Sequence, residues 1–173
     1  MARIPGLVLD SKLRTIFVPD SNETVRTYEE SDPTARRRLV SRMEHWKRQK
    51  KTGRGGCGSV CLEQCIKGRR ETDLRAVQKI ETTRQFASIG YLQEEAVAKF
   101  SHSRYDRCFV KSFGWYEIPD ALFIVMEHLE LDDLWHYLRD RPPLPITEAR
   151  ESAHQILEGL LMMHENEFTH RDL

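Results

Sequence analysis

Apolar and polar positions alternate along SVCLEQCI, Ser59 to Ile66, around Val60, Leu62 and Gln64, and this period of two predicts a strand. A charged turn, KGRRETD, follows, and LRAVQKI (Leu74 to Ile80) predicts a second strand. In YLQEEAVAKF the period lengthens: Leu92, Ala96 and Phe100 recur every fourth residue, which predicts a helix over Tyr91 to Phe100. Strand-like runs return in CFVKSFGWY (Cys108 to Tyr116) and ALFIVMEHL (Ala121 to Leu129), and EIPD between them predicts a hairpin. After RPPLP, Thr147 is placed to cap a helix whose apolar stripe is Ala149, Ala153, Ile156, Leu157, Leu160 and Leu161. The first 45 residues say less. LRTIFVPD predicts a short strand, but SNETVRTYEESDPTARRR is polar and turn-rich, with Pro33 as punctuation. The layout is α+β: strands, one helix, more strands, then helices, with no internal repeat.

Composition narrows the classes. Lys+Arg and Asp+Glu both total 27, so no net charge points to nucleic acid or to an acidic membrane surface. Nine Lys or Arg stand between Arg36 and Arg54 against the single Glu44, which reads as a solvated strand or helix face ahead of a targeting or phosphate-binding patch. No apolar run approaches the roughly 20 residues that span a bilayer. Four cysteines are too few for a disulfide scaffold, and no Cys/His pairs complete a tetrahedral metal set. Reduced thiols and an intracellular location, cytoplasm or nucleus, are expected. Cys57 is read as an inert exposed thiol.

The candidate chemistry begins with GRGGCGSV, Gly53 to Val60, which fits G-x-G-x-x-G-x-V. Glycines in this spacing let a loop lie close over phosphates and aim its N–H groups at them, although a glycine-rich hairpin turn looks the same. A dinucleotide-binding fold would need a buried strand before the glycines and a helix after them. Here KRQKKT precedes and a strand follows, which disfavours it. RAVQKI, an acidic helix, LFIVMEHL and HRDL then follow in order. Together these motifs resemble a eukaryotic-type protein kinase domain, Ser/Thr-kinase-like, over roughly residues 46 to 173. The resemblance implies an antiparallel sheet with one main helix as a small lobe at 46–129 and the start of a large lobe at 130–173. Residues 1–45 are expected to be an extension, partly ordered at best.

The resemblance also implies roles. Gly53, Gly55 and Gly58 would cover the phosphates of ATP, and Val60 and Ala76 would sandwich its adenine. Met126 would be the gatekeeper, the backbones of Glu127 and Leu129 would hold adenine, and Asp133 the ribose. Asp172 would accept the substrate hydroxyl's proton, with His170 and Arg171 shaping the loop. Two positions depart from the family. The phosphate-holding lysine falls on Gln78, and on a strand the neighbouring Lys79 points to the other face unless a bulge turns it inward. The partner glutamate falls on Gln93, with Glu94 and Glu95 beside it.

The family's Mg ligands lie beyond Leu173, so efficient phosphoryl transfer is not expected of these 173 residues by themselves. The apolar stripe of helix 147–164 is expected to face water or a protein partner. Two function classes stay open here: a protein kinase transferring phosphate from ATP to a protein Ser/Thr hydroxyl, and a pseudokinase-like module that binds nucleotide or a partner without catalysis. A third reading, a kinase-like fragment with no function, predicts failure to fold. The expected partners are a protein substrate and whatever covers the helix, with no nucleic acid or membrane.

Overall fold

The structure, a computed structural model, describes residues 12–31, 39–55, 58–81, 107–131, 133–139 and 141–170. Among them are seven strands, β1 (Arg14–Val18), β2 (Glu23–Glu30), β3 (Val40–Gly55), β4 (Gly58–Lys67), β5 (Leu74–Glu81), β6 (Ser112–Ile118) and β7 (Ala121–Glu127). Two helices follow, α1 (Leu134–Arg139) and α2 (Ile146–Glu165). The strands form one sheet in the order β1-β2-β3-β4-β5-β7-β6, antiparallel throughout. The sheet also curls on itself. Lys12, just before β1, makes a parallel bridge to Trp115 of β6, and the Leu13 N–H donates to the Trp115 carbonyl at 2.7 Å. First and last strands therefore meet at one point.

Curling gives the sheet an inner and an outer face, and the inner one is unusually polar. Cross-strand register places Thr24, Arg26 and Tyr28 of β2 beside Glu44 and Trp46 of β3, and Glu63 of β4 beside Arg75 of β5. Arg75 and Glu63 are each about 1% exposed. Arg75 donates from Nη2 to Glu63 Oε2 at 2.8 Å and to Thr24 Oγ1 at 2.9 Å, and from Nε to Glu63 Oε2 at 3.0 Å. Thr24 Oγ1 in turn donates to Glu63 Oε2 at 3.2 Å, so the carboxylate is met from two strands. The guanidinium lies 4.0 Å from the Trp46 ring centroid, and the Trp46 indole N–H donates to Glu44 at 3.2 Å. Burial without hydrogen bonds would eject such charges; this mutual pairing lets them stay. Farther along, the inner face turns apolar with Cys61, Val77, Tyr116, Phe123 and Val125. Tyr116 and Phe123, directly opposed, stack with centroids 4.7 Å apart.

ETVRTYEE is thus a strand, β2, where a polar turn-rich segment was expected. Its inward positions carry polar side chains that have partners inside. The boundary drawn after residue 45 falls inside β3, which runs unbroken from Val40 past Trp46. The helix expected over 91–100, the main helix of the small lobe, lies outside the described residues. Thr147 does not cap α2: Pro145 takes the N-cap position without a side-chain hydrogen bond. Gly159 is the buried residue of α2, packed near Cys108, and Glu158 pairs with Arg107. Ile156, Leu157 and Leu161 of the predicted stripe are exposed.

Candidate functional site

The outer face carries Val60, Ala76, Gln78 and Met126 of the residues expected to form the site. Pairing of β3, β4, β5, β7 and β6 aligns Gly53, Val60, Gln78, Ile124 and Trp115 in one row across the sheet. The next row aligns Leu62, Ala76, Met126 and Ser112. Val60, Ala76, Gln78 and Met126 thus share one face, while Met126 packs against Ile80, Trp115, Leu122 and Ile124. A small alanine between larger side chains leaves a shallow apolar bed, suited to a flat ring. Leu129 lies two residues past β7, outside the ladder, and the Glu127 N–H is already donated to the Lys111 carbonyl at 2.9 Å.

Lys79 is on the other face. The β4–β5 and β5–β7 ladders run without a register shift, Ser59 to Gln64 against Lys79 to Leu74 and Arg75 to Glu81 against Glu127 to Ala121. No bulge turns Lys79 to the outer face, and its Nζ lies 3.4 Å from Glu81 Oε1. The outer face around Val60 and Ala76 therefore presents the neutral amide of Gln78, not the cation of Lys79.

The three glycines sit where β3 turns into β4. Gly53 pairs with Val60 and Gly55 with Gly58, so strands both precede and follow the motif. That arrangement rules out the dinucleotide-binding fold, which needs a helix after the glycines. Gly58 has φ 137, and a Cβ there would sit 1.9 Å from the Lys79 carbonyl oxygen. A Cβ at Gly53 would meet nothing within 4 Å.

Asp133 stands at the start of α1. Its Oδ1 accepts the His136 N–H at 2.7 Å, and His136 Nδ1 lies 2.9 Å from the same atom. These bonds hold the Asp133 carboxyl below the usual carboxylate range. A depressed value means the charged form is favoured when folded, so this cap is present above pH about 4 and is lost as pH falls through the lowered value. We expect the His136 amide resonance to move toward an unbonded shift below about pH 4; constancy to pH 2 would show that the carboxylate is not its acceptor.

His170 lies in the irregular segment after α2, and Arg171, Asp172, Gln93, Glu94, Glu95 and Cys57 lie outside the described residues. Among the described residues, no group of three or more His, Cys, Asp or Glu is placed to hold a metal ion. Burial pushes the Cys61 and Cys65 thiols up, away from reactivity. No helix among the described residues is long and apolar enough to cross a membrane. Two features of the site escaped the sequence reading: Lys12 and Trp115, which close the sheet at the end of the Gly53–Trp115 row. The signal was faint, a lone lysine before LRTIFV.

Comparison with known proteins gives the following. The family model for the protein kinase domain matches residues 46–173. The SNF1-related protein kinase catalytic subunit alpha KIN12 of Arabidopsis thaliana is 23% identical over 136 residues, covering 79% of this chain and 27% of the relative. The dual specificity protein kinase CLK2 of Mus musculus is 28% identical over 126 residues, covering 70% and 24%. This chain spans about a quarter of the length of these relatives. A crystal structure of Rad53 1–466 in complex with AMP-PNP superposes with a TM-score of 0.61 at 22% identity, covering 74% of this chain and 32% of that one. At that identity the likeness is one of fold.

Proposed function

Because this chain belongs to the protein kinase domain family, we propose that it is the nucleotide-binding part of a protein kinase that transfers phosphate from ATP to Ser/Thr hydroxyls of a protein substrate. The observation that carries this is the shared outer face of Val60, Ala76, Gln78 and Met126 beside a glycine turn. Adenine would lie between Val60 and Ala76, reach the carbonyl of Glu127 and the N–H of Leu129, and stop against Met126. Gly53, Gly55 and Gly58 would run over the phosphates. When bound, ATP supplies the transferable phosphoryl group; Asp172, with His170 and Arg171, would take the substrate proton. Asp133, already engaged with α1, would reach a ribose through its second oxygen. We take β1 and β2 into the small lobe, since the sheet is continuous through them. We also propose an intracellular location, and a protein partner on the exposed Ile156, Leu157 and Leu161.

A second reading, a pseudokinase-like binding module, is favoured by one observation: Gln78 occupies the nucleotide face and Lys79 the opposite one. Thermal melting with Mg-ATP tests binding in both. At 100-fold above its dissociation constant a ligand adds about 2.7 kcal/mol, or roughly 5–10 °C at this size. No shift at millimolar ATP would sink the nucleotide site. Gln78→Lys is expected to tighten ATP binding about tenfold or more by adding a charge-assisted bond. Weaker binding by that variant would mean Gln78 does not face the phosphates.

A further inference from the structure

Lys12 reaches the nucleotide face from the far end of the sheet. Leu13 points inward, against the apolar cluster of Tyr116 and Phe123, so Lys12 falls on the outer side. There its Nζ lies 4.9 Å from the Trp115 ring centroid and pairs with Glu117. Trp115 is 4% exposed and heads the row that continues through Ile124 to Gln78 and Val60, while packing in the same cluster as Met126. A short strap of chain thus clamps one end of the row whose other end is the glycine turn.

We propose that the strap formed by Lys12, Leu13 and β1 sets the position of Trp115, a positioning residue for the nucleotide face, so that strap closure and nucleotide binding favour each other. The clamp is made for reversal. Its ion pair joins side chains 39% and 55% exposed, and among the described residues the rest of β1 pairs only with β2. Contacts so exposed belong to the part of a fold that opens locally. When the strap opens, Trp115 loses the cation over its ring and the backbone bond at its carbonyl. Met126 and Ile124 then pack on a side chain that has lost this tether. Nucleotide lying against Met126 would in turn favour the closed strap, because coupling between two sites is reciprocal.

This inference rests on the nucleotide-binding reading, and reciprocity supplies its test. In the full 173-residue chain, saturating AMP-PNP is expected to slow hydrogen exchange of the Leu13 amide about fivefold, the low end of usual coupling. Ligand that merely stabilised the whole fold would leave such local opening unchanged. Lys12→Ala is expected to weaken AMP-PNP binding by the same factor while lowering the melting temperature little; Glu117→Gln cuts the same pair from β6 if the first variant folds poorly. Unchanged Leu13 exchange with unchanged affinity in both variants, in a protein that AMP-PNP does stabilise, would overturn the strap and leave the nucleotide site standing. Absence of any AMP-PNP stabilisation would overturn the nucleotide reading and the coupling with it.

Discussion

Replacing Arg75 with alanine is expected to destabilise the protein by about 3–5 kcal/mol, a large share of the 5–15 kcal/mol that holds a typical domain. Little of that figure is the attraction of the pair. The loss leaves the Glu63 carboxylate inside the sheet with, among the described residues, only Thr24 donating to it, and an uncompensated buried charge is what the fold cannot carry. It also strips the Trp46 ring of the guanidinium packed 4.0 Å away. The contrast that isolates the cause is the double variant Glu63→Leu with Arg75→Met, which removes both charges and keeps volume. It is expected to recover most of the loss, since replacing a buried pair by apolar groups is often neutral. Urea melts of the two variants decide it. A single variant within 1 kcal/mol of the parent would mean that water reaches the pair in solution.

Gly58→Ala comes second in size. Two costs add at that position: a backbone at φ 137, which a side chain rarely adopts, and a Cβ driven to 1.9 Å from a main-chain oxygen of β5. Strain of about 1–3 kcal/mol and overpacking of similar size give an expected loss of about 3 kcal/mol or more. Gly53→Ala, with open space around it, should fall within about 0.5 kcal/mol of the parent. Thermal melts of the pair make the comparison, and equal effects would contradict the close approach of Gly58 to Lys79. The motif G-x-G-x-x-G therefore mixes two demands. One glycine is required by the packing of β4 on β5 whatever the site binds, and Gly53 is free to serve a ligand.

How far the sequence could be read follows from which side chains each strand turns inward. Strands β4 and β5 and the β6–β7 hairpin announced themselves, because Val60, Leu62, Val77 and Ala121 to Val125 put apolar residues on at least one face. So did the separation of Gln78 from Lys79, which needs only the period of two and an unbroken ladder. β2 and the first half of β3 did not. Their inward positions are Thr24, Arg26, Tyr28 and Glu44, residues that look solvated in any binary pattern. Their burial depends on Arg75 and Glu63, which lie tens of residues away, so no local window contains the reason for it. The helix cap was misread for a simpler cause: Pro145 has φ −52, already fitted to a helix start, and it displaced Thr147 into the first turn.

The seam between Lys12 and Trp115 also bears on the order of folding. The Lys12 and Glu117 side chains that meet there are 105 residues apart in sequence, whereas β1–β2, β3–β4 and β6–β7 pair neighbours. Loop-closure entropy opposes the distant contact, and one bridge gives little in return until both hairpins exist. The seam should close last, after the hairpins it joins. During synthesis, at about 5–20 residues per second, Lys12 would wait several seconds for Trp115 to be made. Until Arg75 is made, 20 residues after β3 ends, the inner charges of β2 and β3 lack their partner, and the growing chain would hold a half-built polar interior open to water.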